Sequence, residues 1–113
     1  NLKVCALHGG GFLPYHLGRF DKEFETGKAV RPAQAAKQPS AYLKNLYFDT
    51  LVYDLDTLEY LKTKVGADRL MLGTDYPYTL GDWLGVEKIH ALQCSDAEKG
   101  AILEGNARRL LKL

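Results

Sequence analysis

A short apolar run followed at once by a carboxylate constrains the fold more than any other stretch. Residues 70–72 are Leu-Met-Leu and Gly73 follows them, which is typical of a buried strand in a parallel sheet. Asp75 comes directly after the strand end, and Pro77 prevents the strand from continuing in a central position. Because α/β folds and barrels bind ligands past the carboxyl ends of their strands, Asp75 is a candidate functional residue. The alternative is that Asp75 only caps a turn or a helix.

Two further apolar runs end in a polar side chain. Residues 2–7 predict a strand that ends at His8, residues 46–48 predict one that ends at Asp49, and residues 69–72 form the third. Helices are predicted over residues 13–26, 39–45, 56–65, 86–92, 95–104 and 107–113, with a loop over 28–38. This order is typical of an α/β chain with parallel strands and right-handed crossovers. We therefore expect His8, Asp49 and Asp75 to converge at one edge of the sheet.

Several helix ends carry recognisable signals. Pro14 suits the first turn of the first helix, and Gly27 is placed to end it. Residues 56–59 (Asp-Thr-Leu-Glu) and 95–98 (Ser-Asp-Ala-Glu) have the spacing of capping boxes. Residues 105–106 (Gly-Asn) are expected to break the helix that begins at residue 95.

The composition excludes some classes of function. The 113 residues include 15 basic and 14 acidic side chains, so the net charge of +1 gives no support for electrostatic binding to nucleic acid or a membrane. No apolar run is long enough to span a bilayer. Cys5 and Cys94 are expected to be reduced structural thiols of a cytoplasmic protein. The chain begins at Asn1 and enters a strand almost at once, so we expect it to be a piece of something longer.

The His-Gly-Gly-Gly segment at residues 8–11 fits two well-known motifs only in part. Esterases use such a segment as an oxyanion hole, but they also need a Gly-x-Ser-x-Gly elbow, and neither Ser40 nor Ser95 lies in that context. The glycines also fail the dinucleotide fingerprint, because Pro14 stands where its last glycine should be. Acyl-transfer hydrolysis and nucleotide binding are therefore disfavoured.

His8 is the second candidate functional residue. An imidazole at a strand end can move protons near neutral pH, and three adjacent glycines let a substrate approach the backbone closely. The alternative is a histidine satisfied by backbone groups. His16 and His90 lie in helical segments and are interpreted as surface or packing residues. No pair of histidines or cysteines has metal-ligand spacing, so Asp75 alone would supply one oxygen ligand.

Six motifs in order along the chain resemble one known family. They are residues 8–11 (His-Gly-Gly-Gly), Pro14, 18–19 (Gly-Arg), 47–50 (Tyr-Phe-Asp-Thr), 73–77 (Gly-Thr-Asp-Tyr-Pro) and 105–107 (Gly-Asn-Ala). Together they resemble the aminocarboxymuconate-semialdehyde decarboxylase branch of the amidohydrolase superfamily over essentially the whole chain. The resemblance implies that residues 1–113 are the C-terminal portion of a single metal-dependent (βα)8 TIM-barrel domain, namely about three βα units that include the last three strands.

The resemblance also implies roles for three residues. Asp75 matches a metal-ligand aspartate of the eighth strand that also orients the nucleophile. His8 matches a strand-six histidine that works as an acid/base beside the metal. Arg19 matches an arginine that reaches into a neighbouring subunit's site and binds a substrate carboxylate. The family's His-x-His pair and third metal histidine are absent from this sequence, so the remaining ligands are expected from the remainder of the barrel.

The function implied by the resemblance is that of a homodimeric carboxy-lyase. Its substrate would be an unsaturated or aromatic-derived carboxylic acid, and its cofactor a divalent metal, with zinc expected, which lowers the pKa of water. Metal-dependent hydrolases and hydratases share the scaffold and remain alternatives. A non-catalytic α/β binding module, functional without metal, is a further alternative.

Overall fold

Three parallel strands form the sheet in the computed structural model, which describes residues 2–27 and 36–113. Strand β1 is Val4–Ala6, β2 is Leu46–Asp49 and β3 is Leu70–Met71, and β2 lies between the other two. Val4 is paired with Leu46, and Phe48 with Leu70. The predicted parallel arrangement is confirmed. Strands β1 and β3 are shorter than predicted, and β2 extends one residue further, to include Asp49.

Helices follow each strand, as the predicted order requires. They are α1 (Leu13–Thr26), α2 (Leu55–Val65), α3 (Gly85–Ala91), α4 (Asp96–Gly100) and α5 (Asn106–Leu111). Short 3-10 segments cover His8–Gly10, Pro39–Asn45 and Ala67–Arg69, and a π-helical turn covers Ala101–Gly105. None of the helices within the described ranges is long and apolar enough to cross a membrane.

Helix α1 has the predicted bounds because both of its ends carry strong local signals. Pro14 lies in the first turn, and Gly27 adopts the left-handed conformation (φ 68°) and donates its N–H to the Phe24 carbonyl. The predicted helix over residues 39–45 is present, as a 3-10 helix. Most of the predicted loop over residues 28–38 lies outside the described residues, since the structure describes only its last three positions.

The predicted cap of α2 is wrong by two residues. Asp54, not Asp56, is the N-cap, because its backbone is extended and its carboxylate accepts the Thr57 N–H at 2.8 Å. Hydrogen bonds from Thr57 hold the pKa of Asp54 below its usual value. Glu59 is used differently from the prediction, since it accepts the Gln93 N–H and pairs with Lys62.

The core lies between the sheet and the helices that follow it. Phe48 and Leu70 supply the sheet side, and Leu58, Ile89 and Ile102 supply the helix side, all with at most 1% of their surface exposed. Burial of such side chains is the main favourable contribution to folding. Phe48 and Leu70 belong to predicted apolar runs, and the other three side chains belong to predicted helices. Their packing holds the strands together and so positions the carboxyl ends at one edge of the sheet.

The predicted helix break at residues 105–106 is wrong. The capping box at Ser95 and Glu98 is confirmed, but the chain stays helical from α4 through the π-helical turn into α5. Asn106 is fully buried, and its Nδ2 donates to the carbonyls of Ala67 and Leu70, at 2.7 Å each. Tertiary hydrogen bonds, rather than a turn, therefore explain this asparagine.

Replacing Asn106 by alanine is expected to lower the free energy of unfolding of the full-length protein by about 2–4 kcal/mol. The change would remove two hydrogen bonds to buried carbonyls, and each such loss costs about 1–3 kcal/mol. Urea unfolding monitored by circular dichroism would measure it. Arg108→Ala is the control, because Arg108 makes an exposed ion pair with Glu104 and its loss should cost no more than about 0.5 kcal/mol. Equal losses in both variants would contradict a role for the Asn106 hydrogen bonds.

Candidate functional site

The three polar strand ends converge, as predicted. The Nε2 atom of His8 lies 3.8 Å from Oδ1 of Asp75, and the His8 backbone N–H donates to Oδ2 of Asp49 at 3.0 Å. The His8 side chain is mostly exposed, the Asp75 side chain is 24% exposed, and Asp49 is buried. The His8 imidazole and the Asp75 carboxylate thus lie together at the open edge of the sheet, and the buried carboxylate of Asp49 lies beneath them.

The loop after β1 has an unusual backbone. His8, Gly9, Gly10 and Gly11 all have φ between 55° and 79°, the region that favours glycine. A Cβ on Gly9 would lie 2.4 Å from Val52, and one on Gly10 would lie 2.7 Å from the Phe48 ring. Gly9 and Gly10 are therefore required by both conformation and space, and Gly11 is favoured by conformation alone. His8 is the only member of the loop with a side chain, and that side chain points to the Asp75 carboxylate.

Asp49 makes the contacts that fix this loop. Its Oδ1 accepts the N–H groups of Gly9 at 2.8 Å and of Leu51 at 3.2 Å, in addition to the bond from His8. The sequence predicts only that Asp49 lies at a strand end, at the same edge of the sheet as His8 and Asp75. The signal for this role in the sequence was that Asp49 ends the strand next to the glycine loop. The backbone N–H groups of that loop need hydrogen-bond acceptors.

Thr50 makes the matching contact on the other side of β2. Its N–H donates to the Met71 carbonyl at 3.0 Å, and its Oγ1 accepts the Gly73 N–H at 3.3 Å. Two residues further on, Asp75 has φ 58°, and its carbonyl accepts the Tyr78 N–H. Asp49, the last residue of β2, is therefore bonded to the loop that carries His8, and Thr50, the next residue, is bonded to the segment that leads to Asp75.

A buried ion pair, which the sequence analysis missed, stabilises the loop after Asp75. Asp82 is 6% exposed, pairs with Lys88 and donates its N–H to the Thr74 carbonyl at 2.9 Å. The Tyr53 hydroxyl donates to the Leu80 carbonyl of the same loop at 2.7 Å. The six-residue spacing of Asp82 and Lys88 is not a helical pairing distance, so no local pattern indicated this pair.

No contact among the described residues brings Arg19 to the His8–Asp75 pair. It is exposed on α1, and it forms no ion pair within residues 2–27 and 36–113. Its neighbour Gly18 faces open space. His16 packs edge-on against the rings of Phe12 and Tyr15, which agrees with its interpretation as a packing residue.

The described residues include donors suited to a metal ion but do not form a complete metal site. No group of three His, Cys, Asp or Glu side chains within them could hold a metal ion. Asp75 offers a carboxylate at the open edge with the His8 imidazole beside it, and these groups fit the ligand chemistry of a divalent cation. A complete site therefore needs ligands from residues beyond this set.

The two cysteines are free in the structure, as predicted for reduced thiols. Burial, together with the negative charge of Asp49, raises the pKa of the Cys5 thiol above its usual value. A raised pKa keeps the thiol protonated at neutral pH and makes it a poor nucleophile. This agrees with a structural role for Cys5.

Comparison with known proteins gives relatives across the whole chain. The profile of the amidohydrolase family matches residues 1–113. The 2-amino-3-carboxymuconate-6-semialdehyde decarboxylase of Dictyostelium discoideum is 34% identical over 114 residues, which cover 100% of this chain and 32% of that protein. The 2-keto-4-carboxy-3-hexenedioate hydratase of Sphingobium sp. is 34% identical over 121 residues, which cover 96% of this chain and 33% of that protein.

A solved structure extends the likeness to the fold. The crystal structure of dihydroxybenzoic acid decarboxylase from Polaromonas sp. JS666, with bound manganese and the inhibitor 2-nitroresorcinol, superposes with a TM-score of 0.79 and 28% identity. The match covers 99% of this chain and 34% of that one. The chain thus spans about a third of the length of the relatives that it matches.

Proposed function

The chain belongs to the amidohydrolase family, in its aminocarboxymuconate-semialdehyde decarboxylase branch, and from that premise we propose that its protein is a metal-dependent decarboxylase. The substrate class is an unsaturated or aromatic carboxylic acid. The single observation that carries the proposal is the His8–Asp75 pair, 3.8 Å apart, at the carboxyl edge of a sheet whose relatives include several decarboxylases.

The fold is α/β, and its three βα units are part of a TIM barrel. We place these units at the C-terminal end of a single barrel domain, so that the rest of the barrel lies against β1 and β3. That remainder would supply the metal ligands that the described residues lack. Active sites of such barrels lie at the carboxyl ends of the strands, which is where His8 and Asp75 are found.

Asp75 would hold a divalent metal through its carboxylate. When bound, such a metal supplies Lewis acidity and lowers the pKa of water. Manganese is present in the Polaromonas relative, and zinc is our expectation for this protein. Elemental analysis of the purified full-length protein decides between the two.

His8 would transfer the proton that decarboxylation requires. When the bond between the substrate carbon and its carboxylate breaks, the electron pair stays on the carbon and carbon dioxide leaves. A proton delivered from Nε2 of His8 then takes the place of the carboxylate, so the reaction needs no oxidant or reductant. Because His8 is exposed at the open edge, a substrate can reach its imidazole.

The direct test is release of carbon dioxide by the metal-loaded full-length protein. Suitable substrates are 2-amino-3-carboxymuconate 6-semialdehyde and 2,6-dihydroxybenzoate, since relatives act on or bind these acids. The second candidate is hydration, which the equally similar hydratase favours, and 2-keto-4-carboxy-3-hexenedioate tests it. If the protein adds water to this acid and releases no carbon dioxide, hydration replaces decarboxylation as the proposed function. Absence of both reactions with these acids would favour the remaining alternatives, a metal-dependent hydrolase or a binding module.

Arg19 is proposed to bind the substrate carboxylate across the interface of a homodimer. Both Arg19→Ala and Arg19→Lys should lower kcat/KM by about 10- to 100-fold, because a hydrogen bond to a charged group contributes about 1.5–3 kcal/mol. Lysine keeps the charge but loses the planar, two-pronged geometry of the guanidinium. Lys22→Ala, on the same helix and exposed, is the control and should keep kcat/KM within about twofold.

Mixed dimers test the placement of Arg19 across the interface. Arg19→Ala chains and His8→Ala chains are each impaired, but a mixed dimer contains one site with both residues intact. Activity should therefore rise when the two proteins are mixed under conditions of subunit exchange. No recovery, with exchange shown by mass spectrometry, would place Arg19 in the site of its own chain or outside the chemistry.

A further inference from the structure

The buried carboxylate of Asp49 is bonded to the backbone of the loop that presents His8. Asp49 is 7% exposed and accepts three backbone N–H groups, two of them from consecutive loop residues, His8 and Gly9. A carboxylate suits this place because it only accepts hydrogen bonds and offers two oxygens. The uncharged amide of asparagine would direct an N–H₂ group at one of these donors.

The loop needs such support because its conformation is unfavourable without it. His8 itself has φ 55°, a value that is uncommon for a residue with a side chain. Residues in such conformations persist only where surrounding contacts determine them. The charge-assisted bonds from His8 and Gly9 to Asp49 are contacts of this kind. They fix the direction in which the His8 side chain leaves the backbone.

The surroundings of Asp49 leave its side chain little freedom. A Cβ on Gly73 would lie 2.7 Å from the Cβ of Asp49, so glycine at this position makes room for the carboxylate. Gly73 in turn donates its N–H to Thr50, the residue after Asp49. The Asp49 side chain therefore lies close to both the loop of His8 and the strand end that leads to Asp75.

We propose that Asp49 is a positioning residue, which orients the His8 imidazole towards Asp75 through its hydrogen bonds to the backbone of His8 and Gly9. The inference rests on the proposed function, since it assumes that His8 transfers the proton. Asp49 itself touches neither the substrate nor the reacting atoms. Its effect on turnover must therefore pass through His8.

The test is Asp49→Asn in the full-length, metal-loaded protein, alone and combined with His8→Ala. Alone, the change should lower kcat by about 10- to 100-fold, with KM and metal content within about twofold, because only the placement of the acid/base is disturbed. In the His8→Ala background, the same change should lower kcat by less than about twofold, since residues that act as one unit are not additive. A full loss in both backgrounds, or an unchanged kcat for Asp49→Asn alone, would overturn the proposal.

Asp54→Asn is the matched control. Asp54 also accepts backbone and side-chain hydrogen bonds, but it does so at the exposed start of α2. Its replacement should destabilise the protein without changing kcat. If Asp49→Asn and Asp54→Asn lowered kcat equally, the loss would come from reduced stability of the protein. That result would contradict a positioning role for Asp49.

A spectroscopic measurement separates this inference from the proposed function. In protein labelled with ¹⁵N-histidine, the imidazole signals of His8 are identified by their loss in His8→Ala. They should shift in Asp49→Asn and stay in place in Asp54→Asn, whether or not the chosen substrate is turned over. Unshifted His8 signals in a folded Asp49→Asn protein would refute the inference even if decarboxylation were established.

If Asp49→Asn does not fold, Gly73→Ala is the second variant. The added methyl would displace the Asp49 side chain while keeping its charge. It should shift the His8 signals and lower kcat in the same direction, with metal content as the check on Asp75. Unchanged signals in Gly73→Ala would count against the proposal.

Discussion

Alanine in place of Asp75 in the full-length protein is expected to abolish both metal binding and turnover. Catalytic metal sites use about three protein ligands, so the loss of one carboxylate leaves too few for retention. Asp75 lies at the carboxyl edge of the sheet, close to the imidazole of His8. Metal content should fall from about one ion per chain to a small fraction of that. Elemental analysis after dialysis and release of carbon dioxide would measure the two losses on the same samples.

Asp68→Ala is the control for a lost carboxylate. Asp68 lies before β3 rather than after it, pairs with Arg69 and is largely exposed. Its replacement should leave both metal and turnover unchanged. Full retention of metal in Asp75→Ala would mean that the ligands come entirely from elsewhere in the protein, and our assignment of Asp75 would be wrong.

His8→Ala is expected to lower turnover by about 10²- to 10⁴-fold while the metal is retained. Removal of a positioned acid/base usually costs this much, because proton transfer in the transition state must then involve water. The imidazole is exposed and 3.8 Å from Asp75, within reach of a bound substrate. The ratio of kcat values, with metal content measured in parallel, tests this expectation.

His90→Ala is the control for a lost imidazole. His90 is exposed on α3, away from the strand ends, and its replacement should keep turnover within about twofold. If His8→Ala lost the metal as well as the activity, His8 would be a ligand. The division of roles between His8 and Asp75 would then fail.

The part of the fold that was predicted from sequence depends on local signals. Helix α1 carries apolar residues at helical spacing, a proline in its first turn and a glycine at its end, so both bounds were predicted correctly. Convergence of His8 with Asp75 followed from the parallel order of the strands, because parallel strands share one carboxyl edge. Neither prediction required knowledge of a distant contact.

The features that were missed depend on distant contacts. Asp49 and His8 are separated by 41 positions, and no sequence period connects a carboxylate to the backbone of a loop on another strand. Asn106 contacts Leu70 across 36 positions, so a residue that usually ends helices lies inside one. Asp54 was missed for a local reason: Asp56, two positions later, has Glu59 three residues after it and so matched the capping-box pattern, whereas Asp54 has Thr57 there.

The π-helical turn at Ala101–Gly105 limits the insertions and deletions that this region can accept. Its hydrogen bond runs from the Asn106 N–H to the Ala101 carbonyl, which accommodates one residue more than an α-helical turn. Each residue rotates a helix by about 100°, so deleting one residue here would restore α-helical pairing but turn the Asn106 side chain away from Ala67 and Leu70. The wide turn thus sets the rotational phase of α5 relative to the sheet. Insertions and deletions of single residues should therefore be tolerated poorly between α4 and α5.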